Sequence, residues 1–433
     1  MLRSKPLSRW LSLMGAATLS YLAGAAVIFY GLPSSDFLER AFIGSRAWSE
    51  RRNAPLQSQS PATPDRASDA LRIDDPSKTF DGFTLYACAD NEGEGAEAYL
   101  IDMQGEMVYR WSLPMWRLQL YQPSLTRQPR KVHNFKPCFY GLRLDPNGDL
   151  LVVSHGAPPV SGSSLCKLDK DSQILWQCPA PIHHDVDVDE RGTIYAVQAE
   201  LLTEMPAGLE KLPTACLSDQ LVLLSPDGTP LREPISLLTA LRNSPYALLL
   251  DSLGRDREAS EADLLHTNFV QVLDPALAAK FPAFKVGQVL LSMRNLDTVA
   301  VLDLDTASVV WAATGPWRAQ HDAQFLDNGH LLIFDNRGGP AGSRVLEYDP
   351  QTHAFPWSYP GIGDRMFYSS ERGMNQRLPN GNTLIVDSEG GQIIEVSHDR
   401  EMVWSYPVGR FITTARRYGA DELPFLGDRH ARP

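Results

Sequence analysis

From Phe80 to its C-terminus this chain repeats one unit, and an internal repeat limits the possible folds more than any other property of a sequence. The unit is an apolar strand, an acidic or glycine turn, and a second strand that in most copies closes on tryptophan. It occurs as YLIDMQGEMVYRW from Tyr99, LCKLDKDSQILW from Leu165, LVLLSPDGTPLRE from Leu221, VAVLDLDTASVVW from Val299, RVLEYDPQTHAFPW from Arg344 and QIIEVSHDREMVW from Gln392. Each copy follows a second hairpin: FDGFTLYACAD, GLRLDPNGDLLVVSHG, HHDVDVDERGTIYAVQ, HTNFVQVLDP with GQVLLSMRN, QHDAQFLDNGHLLIFDNRG and GMNQRLPNGNTLIVDSEGG. Asp-Gly, Asn-Gly and Asp-Asn-Gly turns between such runs are hairpin chemistry. Two hairpins make a four-stranded blade, and six blades around a channel make a β-propeller, whose radial repetition leaves only short, protected sheet edges. A sandwich also supplies hairpins, but not one order repeated six times. The expected fold is therefore all-β, a six-bladed β-propeller over 79–433. The recurring Trp111, Trp176, Trp311, Trp357 and Trp404 read as packing between blades rather than as a cofactor box.

The N-terminus reads differently. Trp10–Leu32 is an uncharged run of 23 residues, about 35 Å as a helix and enough to cross a hydrocarbon core of about 30 Å. A cleavable signal peptide is the competing reading, but its apolar region is shorter. Arg3, Lys5 and Arg9 flank the run and stay on the cytoplasmic side, which sends the rest outward. The expected plan is a cytoplasmic N-terminus at 1–9, a single transmembrane helix at 10–32, a juxtamembrane linker at 33–78 rich in Ser, Pro, Gln and Ala toward its end, and then the propeller. The chain is thus expected in the inner (plasma) membrane, single-pass, with its propeller on the periplasmic or extracytoplasmic side.

Charge and cysteine content narrow the partners. With 52 acidic against 40 basic residues and a net charge of −12, the chain lacks the basic balance that phosphate backbones require, so nucleic acid is excluded as a partner. Cys88, Cys138, Cys166, Cys178 and Cys216 form no CxxC pair and no metal-type spacing. An oxidising compartment would permit one or two disulfides among them, in a pairing the sequence does not reveal.

Aligning the first hairpins places a histidine at one repeat position in three successive blades: His183 or His184, His266 and His321. In a propeller this is the start of the innermost strand, facing the channel. One histidine there would ordinarily be structural; three at equivalent positions converge. The ends of the paired strands add Arg294, Asn336 with Arg337, and Ser154 with His155. Imidazoles with a guanidinium suit a tetrahedral anion, because arginine offers a planar fork of donors and histidine either donates or accepts near neutral pH. His330, His353 and His398 fall in turns or outer strands, His430 in the tail and His133 in a basic loop, and read as solvated.

The segments HHDVDVDERG, HTNFVQVLD, VLLSMRNLDTVAVLDL, GPWRAQHDAQFLDNGHLLIFDNRG, SRVLEYDP and RLPNGNTLIVDSEGGQIIEV together resemble the bacterial arylsulfate sulfotransferase family, in its shorter membrane-anchored type. The resemblance implies a six-bladed propeller that moves a sulfuryl group from a small-molecule aryl sulfate to a phenolic acceptor, with no nucleotide sulfate donor and no cofactor. It further implies a sulfo-histidine intermediate on His321, with Arg294, His266 and His184 or its neighbour His183 as surrounding ligands. His155, Asn336 and Arg337 are expected to line the substrate site. Two departures stand out: a tether replaces the N-terminal β-sandwich domain of characterised members, and the segment 312–318 (AATGPWR) replaces their disulfide-closed loop before the catalytic Gln-His.

Three other readings compete. A non-catalytic anchored propeller would act as a binding or scaffold protein in the cell envelope, with a membrane-protein partner or a second copy, since this fold hosts many functions. A metalloprotein would use His183, His184, His266 and His321 with Asp185 and Asp322, although Arg294 would set a positive charge beside the ion. A quinone-dependent propeller dehydrogenase fits least, because such enzymes usually carry eight blades.

Overall fold

In four of the six blades the two inner strands are joined where apolar alternation gives way to a glycine turn. Gly148, Gly192, Gly329 and Gly381 sit at φ values of 88°, 79°, 85° and 85°, a left-handed conformation that glycine adopts without a Cβ penalty. The protein is described here from a computed structural model, covering residues 71–427 apart from 74, 90–94, 119–137, 156–162, 206–208, 211–215, 254–262, 340–341 and 361–366. The chain divides into two compact units, Met1–Pro55 and Leu56–Pro433, and only the second contains described residues. The membrane helix expected at 10–32 lies outside them. Among the described residues no helix is long and apolar enough to cross a membrane.

The described residues form six antiparallel sheets, as the repeat predicts. The innermost strands are Ile412–Tyr418, Cys138–Leu144, Ile182–Val188, Thr267–Val272, His321–Phe325 and Met374–Arg377, for blades one to six. Each packs against the next, and the ring closes where Met374–Arg377 meets Ile412–Tyr418. Six hydrophobic clusters fill the six gaps between adjacent blades, so the core is a ring of sheet-on-sheet contacts rather than one central mass. Tryptophans at the ends of outer strands bridge these gaps. The indole N–H groups of Trp111, Trp176, Trp357 and Trp404 donate to the carbonyls of Gly148, Pro226, His398 and Met103, each in a turn of the following blade. Trp311 packs edge-on against Phe284, with ring centroids 5.6 Å apart, beside the cluster between blades four and five.

Three details depart from the sequence reading. FDGFTLYACAD is one strand, Phe83–Cys88, and not a hairpin; its inner partner is Ile412–Tyr418 from the far end of the chain. The first blade is therefore built from both ends, and the closure is fastened by a buried cation. Arg417 lies with its Nη1 3.2 Å from Glu395 Oε2, its Nε 2.6 Å from Thr84 Oγ1 and its guanidinium 4.6 Å from the centre of the Trp404 ring. Second, the copy ending LREP has only Ile235–Ser236 as its outer strand, since Pro230 and Pro234 lack ladder N–H groups. Third, all five cysteines are thiols, so no disulfide contributes. Arg72–Ile73, from the stretch read as linker, adds a fifth, outermost strand to blade six. The stretch 233–265, an insert that interrupts the repeat, places a short helix, Leu237–Arg242, into the apolar gap between blades three and four, burying Leu237, Leu238 and Leu241.

Candidate active site

Near the start of the innermost strands the pairing with the second strand slips. The register shifts at Tyr140, between His183 and Val186, at Asn268, between His321 and Gln324, and at Thr413, in five of the six blades. Such bulges re-aim side chains and sharpen the local twist. They are accompanied by left-handed backbone at His184 (φ 62°), His266 (φ 51°) and Asp322 (φ 45°), conformations that cost a β-carbon residue roughly 1–2 kcal/mol each. The ring of bulges gathers His183, His184, His266 and His321 at one end of the channel. Arg294 follows the second strand of blade four, and its main-chain N–H donates to the His266 carbonyl at 3.2 Å.

His321 is the most constrained of these side chains. Its Nδ1 lies 2.8 Å from Asn336 Oδ1 and 3.1 Å from the Ala319 carbonyl, both acceptors. The Asn336 amide cannot turn round, because its Nδ2 donates to the carbonyls of Ser369 at 2.7 Å and Arg372 at 3.0 Å. Nδ1 therefore carries the proton, and Nε2 keeps its lone pair. Burial, and then the cations Arg294 and Arg372, push the imidazole well below its ordinary value, against the pull of Asn336, so it is neutral.

His184 and His183 act as a pair. Their Nδ1 atoms are 2.8 Å apart, and His183 Nε2 lies 3.3 Å from Asp219 Oδ1. With Nε2–H of His183 facing the carboxylate, its Nδ1 accepts from His184 Nδ1–H, and His184 Nε2 is left as an acceptor. Burial, with His266, His183, Arg372 and His321 around it, holds His184 well below the ordinary imidazole value. Both ring nitrogens of His183 are taken up, which leaves it behind His184. The His184 and His266 rings meet at 4.8 Å between centroids and 69° between planes. His266 Nδ1 is 2.7 Å from Asp263 Oδ2.

The cationic side is built from three blades. Arg294 Nη1 donates to Asn295 Oδ1 at 3.0 Å, and Arg337 Nε to the Ser370 carbonyl at 3.1 Å. Burial, and then Arg337, draw Arg294 down from its ordinary value, but a guanidinium remains a cation. Arg372, from blade six, lies over the Tyr140 ring at 4.1 Å and donates to the Tyr140 carbonyl at 2.9 Å. A cavity beside His321 is lined by Tyr140, Asp185, Asn268, His321, Asp322 and Arg372 among others. Burial pushes Asp322 up to about 6 there, with Arg416 opposing. His155 closes the strand Leu150–His155, opposite Cys138.

The structure thus brings together His183, His184, His266, Arg294, His321, Asn336 and Arg337, and adds Arg372, Tyr140, Asp219 and Asp263, which sequence reasoning missed. Two of these left a trace. Tyr140 stands eight residues before its turn glycine, like His184 and His321, and Arg372 stands nine before, like His183 and Gln320. Asp219 and Asp263 left none: Asp219 is in the third strand of its blade, and Asp263 is at the end of an insert with no repeat position. Among the described residues no group of three or more His, Cys, Asp or Glu is placed to hold a metal ion.

The family model described as arylsulfotransferase (ASST) matches residues 146–409. No curated protein matches the chain. Among solved structures, a protein of unknown function from Bacteroides caccae is similar at 10% identity and a TM-score of 0.47, over 78% of this chain and 99% of that one. The virginiamycin B lyase of Staphylococcus aureus is similar at 8% identity and a TM-score of 0.35, over 61% of this chain and 69% of that one. At that distance neither likeness bears on function.

Proposed function

The chain belongs to the arylsulfotransferase family, and on that premise we propose that it moves a sulfuryl group from an aryl sulfate to a phenolic acceptor through a sulfo-histidine on His321. The observation that carries this reading is the fixed tautomer of His321. A nucleophilic imidazole must be neutral and must turn a lone pair toward the substrate; Asn336 and Ala319 hold the proton on Nδ1, and burial with two nearby cations keeps the ring neutral.

The chemistry follows from the surroundings. Sulfuryl transfer resembles phosphoryl transfer, with a loose, in-line transition state, so the protein supplies position and charge stabilisation. His321 Nε2 attacks sulfur, the S–O bond to the aryl group breaks, and the phenolate departs. The acceptor oxygen then attacks the same sulfur, and the S–N bond returns its electron pair to Nε2. Arg294 and Arg337 are assigned to the sulfuryl oxygens, with Arg372 adding a third positive charge nearby. The proposed setting is a propeller tethered by the linker 33–78 to a membrane helix at 10–32, with the site open to the extracytoplasmic side.

The test is sulfate transfer from 4-nitrophenyl sulfate to phenol by the purified full-length chain, alongside His321→Asn, with mass spectrometry of the peptide bearing residue 321. Turnover that vanishes in the variant, with a sulfonated His321 in the parent, is the expected result. A folded parent protein that neither transfers nor becomes modified across several donors would leave the anchored scaffold reading in its place.

A further inference from the structure

The four imidazoles of the site are held in different ways. Both nitrogens of His183 are occupied, His184 is buried and kept neutral among other imidazoles and Arg372, and His321 is the nucleophile of the proposed reaction. His266 differs: its side chain is 28% exposed and its Nδ1 faces a carboxylate, Asp263 Oδ2, at 2.7 Å. Among the described residues its Nε2 has no hydrogen-bond partner. Both members of this pair are pinned by backbone. The Asp263 carbonyl accepts from Asn295 Nδ2 at 2.9 Å, Asp263 bridges Leu217 of blade three, and the His266 carbonyl accepts from Arg294 N–H. Although burial raises it, the carboxylate is drawn below its ordinary range by His266 and His183, and so stays ionised.

Transfer from one phenol to another moves a proton as well as a sulfuryl group, because the acceptor arrives as a hydroxyl and the donor leaves as a phenolate. We propose that Asp263 is the positioning residue that makes His266 the proton carrier between the two half-reactions. This inference rests on the arylsulfotransferase reading. In the first half, His321 Nε2 forms the N–S bond, the S–O bond breaks, and His266 Nε2–H gives its proton to the departing oxygen. In the second, His266 Nε2 takes the proton of the acceptor hydroxyl as that oxygen attacks sulfur and the N–S bond breaks. Each time, the charge on the protonated ring faces the Asp263 carboxylate, which holds Nδ1–H and turns Nε2 to the site, the arrangement by which a carboxylate orients a catalytic histidine.

Leaving-group dependence separates this role from a structural one. A good leaving phenolate needs no proton; a poor one does. In full-length Asp263→Asn, single-turnover formation of sulfo-His321 should fall with both donors, but on the order of 10²-fold further with phenyl sulfate than with 4-nitrophenyl sulfate, as for loss of a general acid. His266→Asn should show the same selective loss without touching Asp263, and the double variant no further loss. Equal loss with both donors, or no loss with either, in folded Asp263→Asn or His266→Asn overturns the proposal. A parent protein inert to every donor instead sinks the arylsulfotransferase reading itself.

Discussion

Replacing His321 by asparagine should relieve an acid sensitivity as well as remove a nucleophile. In the folded protein His321 is kept neutral far below the ordinary imidazole value of 6.5, first by burial and then by Arg294 and Arg372. The unfolded chain takes up a proton at that position as pH drops through about 6.5, while the native ring does not. The unfolded state thus binds more protons in this window, and stability rises with pH across it. At pH 5.5, one unit below the unfolded value, the cost is RT ln(1 + 10), about 1.4 kcal/mol; at pH 7.5 it is about 0.1 kcal/mol. Asparagine has nothing to titrate, and its amide reaches the same acceptors, Asn336 Oδ1 and the Ala319 carbonyl. Urea unfolding of parent and His321→Asn at pH 7.5 and 5.5 gives a double difference in which groups remote from His321 cancel, Asp387 among them, raised to about 6 and acting in the opposite sense. The variant should gain about 1.3 kcal/mol on the parent on going to pH 5.5. A double difference near zero would mean that the native ring titrates normally, and the neutral nucleophile would go with it.

Three further outcomes follow from other contacts. Asn336→Ala removes the acceptor for His321 and the donor for two buried carbonyls; stability should fall by about 2–4 kcal/mol, and single-turnover sulfation of His321 by about tenfold, because one net hydrogen bond then no longer selects the tautomer. Unchanged sulfation in that variant would remove the tautomer argument. Glu395→Ala strands the buried Arg417 at the seam between blades six and one and should cost about 3–5 kcal/mol, read from thermal unfolding; a loss under about 1 kcal/mol would show the pair to be dispensable. Deletion of 410–433 removes the innermost strand of blade one and bares the edge of Phe83–Cys88, so cooperative unfolding followed by circular dichroism should be lost. A soluble, cooperatively folding truncation would mean that the ring does not depend on its C-terminal strand.

Local chemistry settled a large part of this protein. Asp-Gly and Asn-Gly turns and the closing tryptophans announce hairpins and blade contacts, because turn conformation and indole burial depend on neighbours within a few residues or one blade away. Counting back from Gly192 and Gly329 reaches His184 and His321, and the chain order Asn336–Arg337 after His321 was visible for the same reason. What the count could not supply was orientation. A strand alternates its faces with period two, so one extra residue at a bulge reverses the direction of everything beyond it; His183 and His184 became distinguishable only once the register shift before Val186 was seen.

Two other features belong to the tertiary structure alone. Ile412–Tyr418 pairs with Phe83–Cys88 across more than three hundred residues, and nothing near Phe83 encodes that partner. Asp263 reaches the histidines from the end of an insert, where no repeat position marks it. Periodicity along the chain therefore determined the blades and which imidazoles would share a rim. Ring closure and the bulges decided which nitrogen of each imidazole is free and which charges face it, because these depend on contacts between strands far apart in sequence.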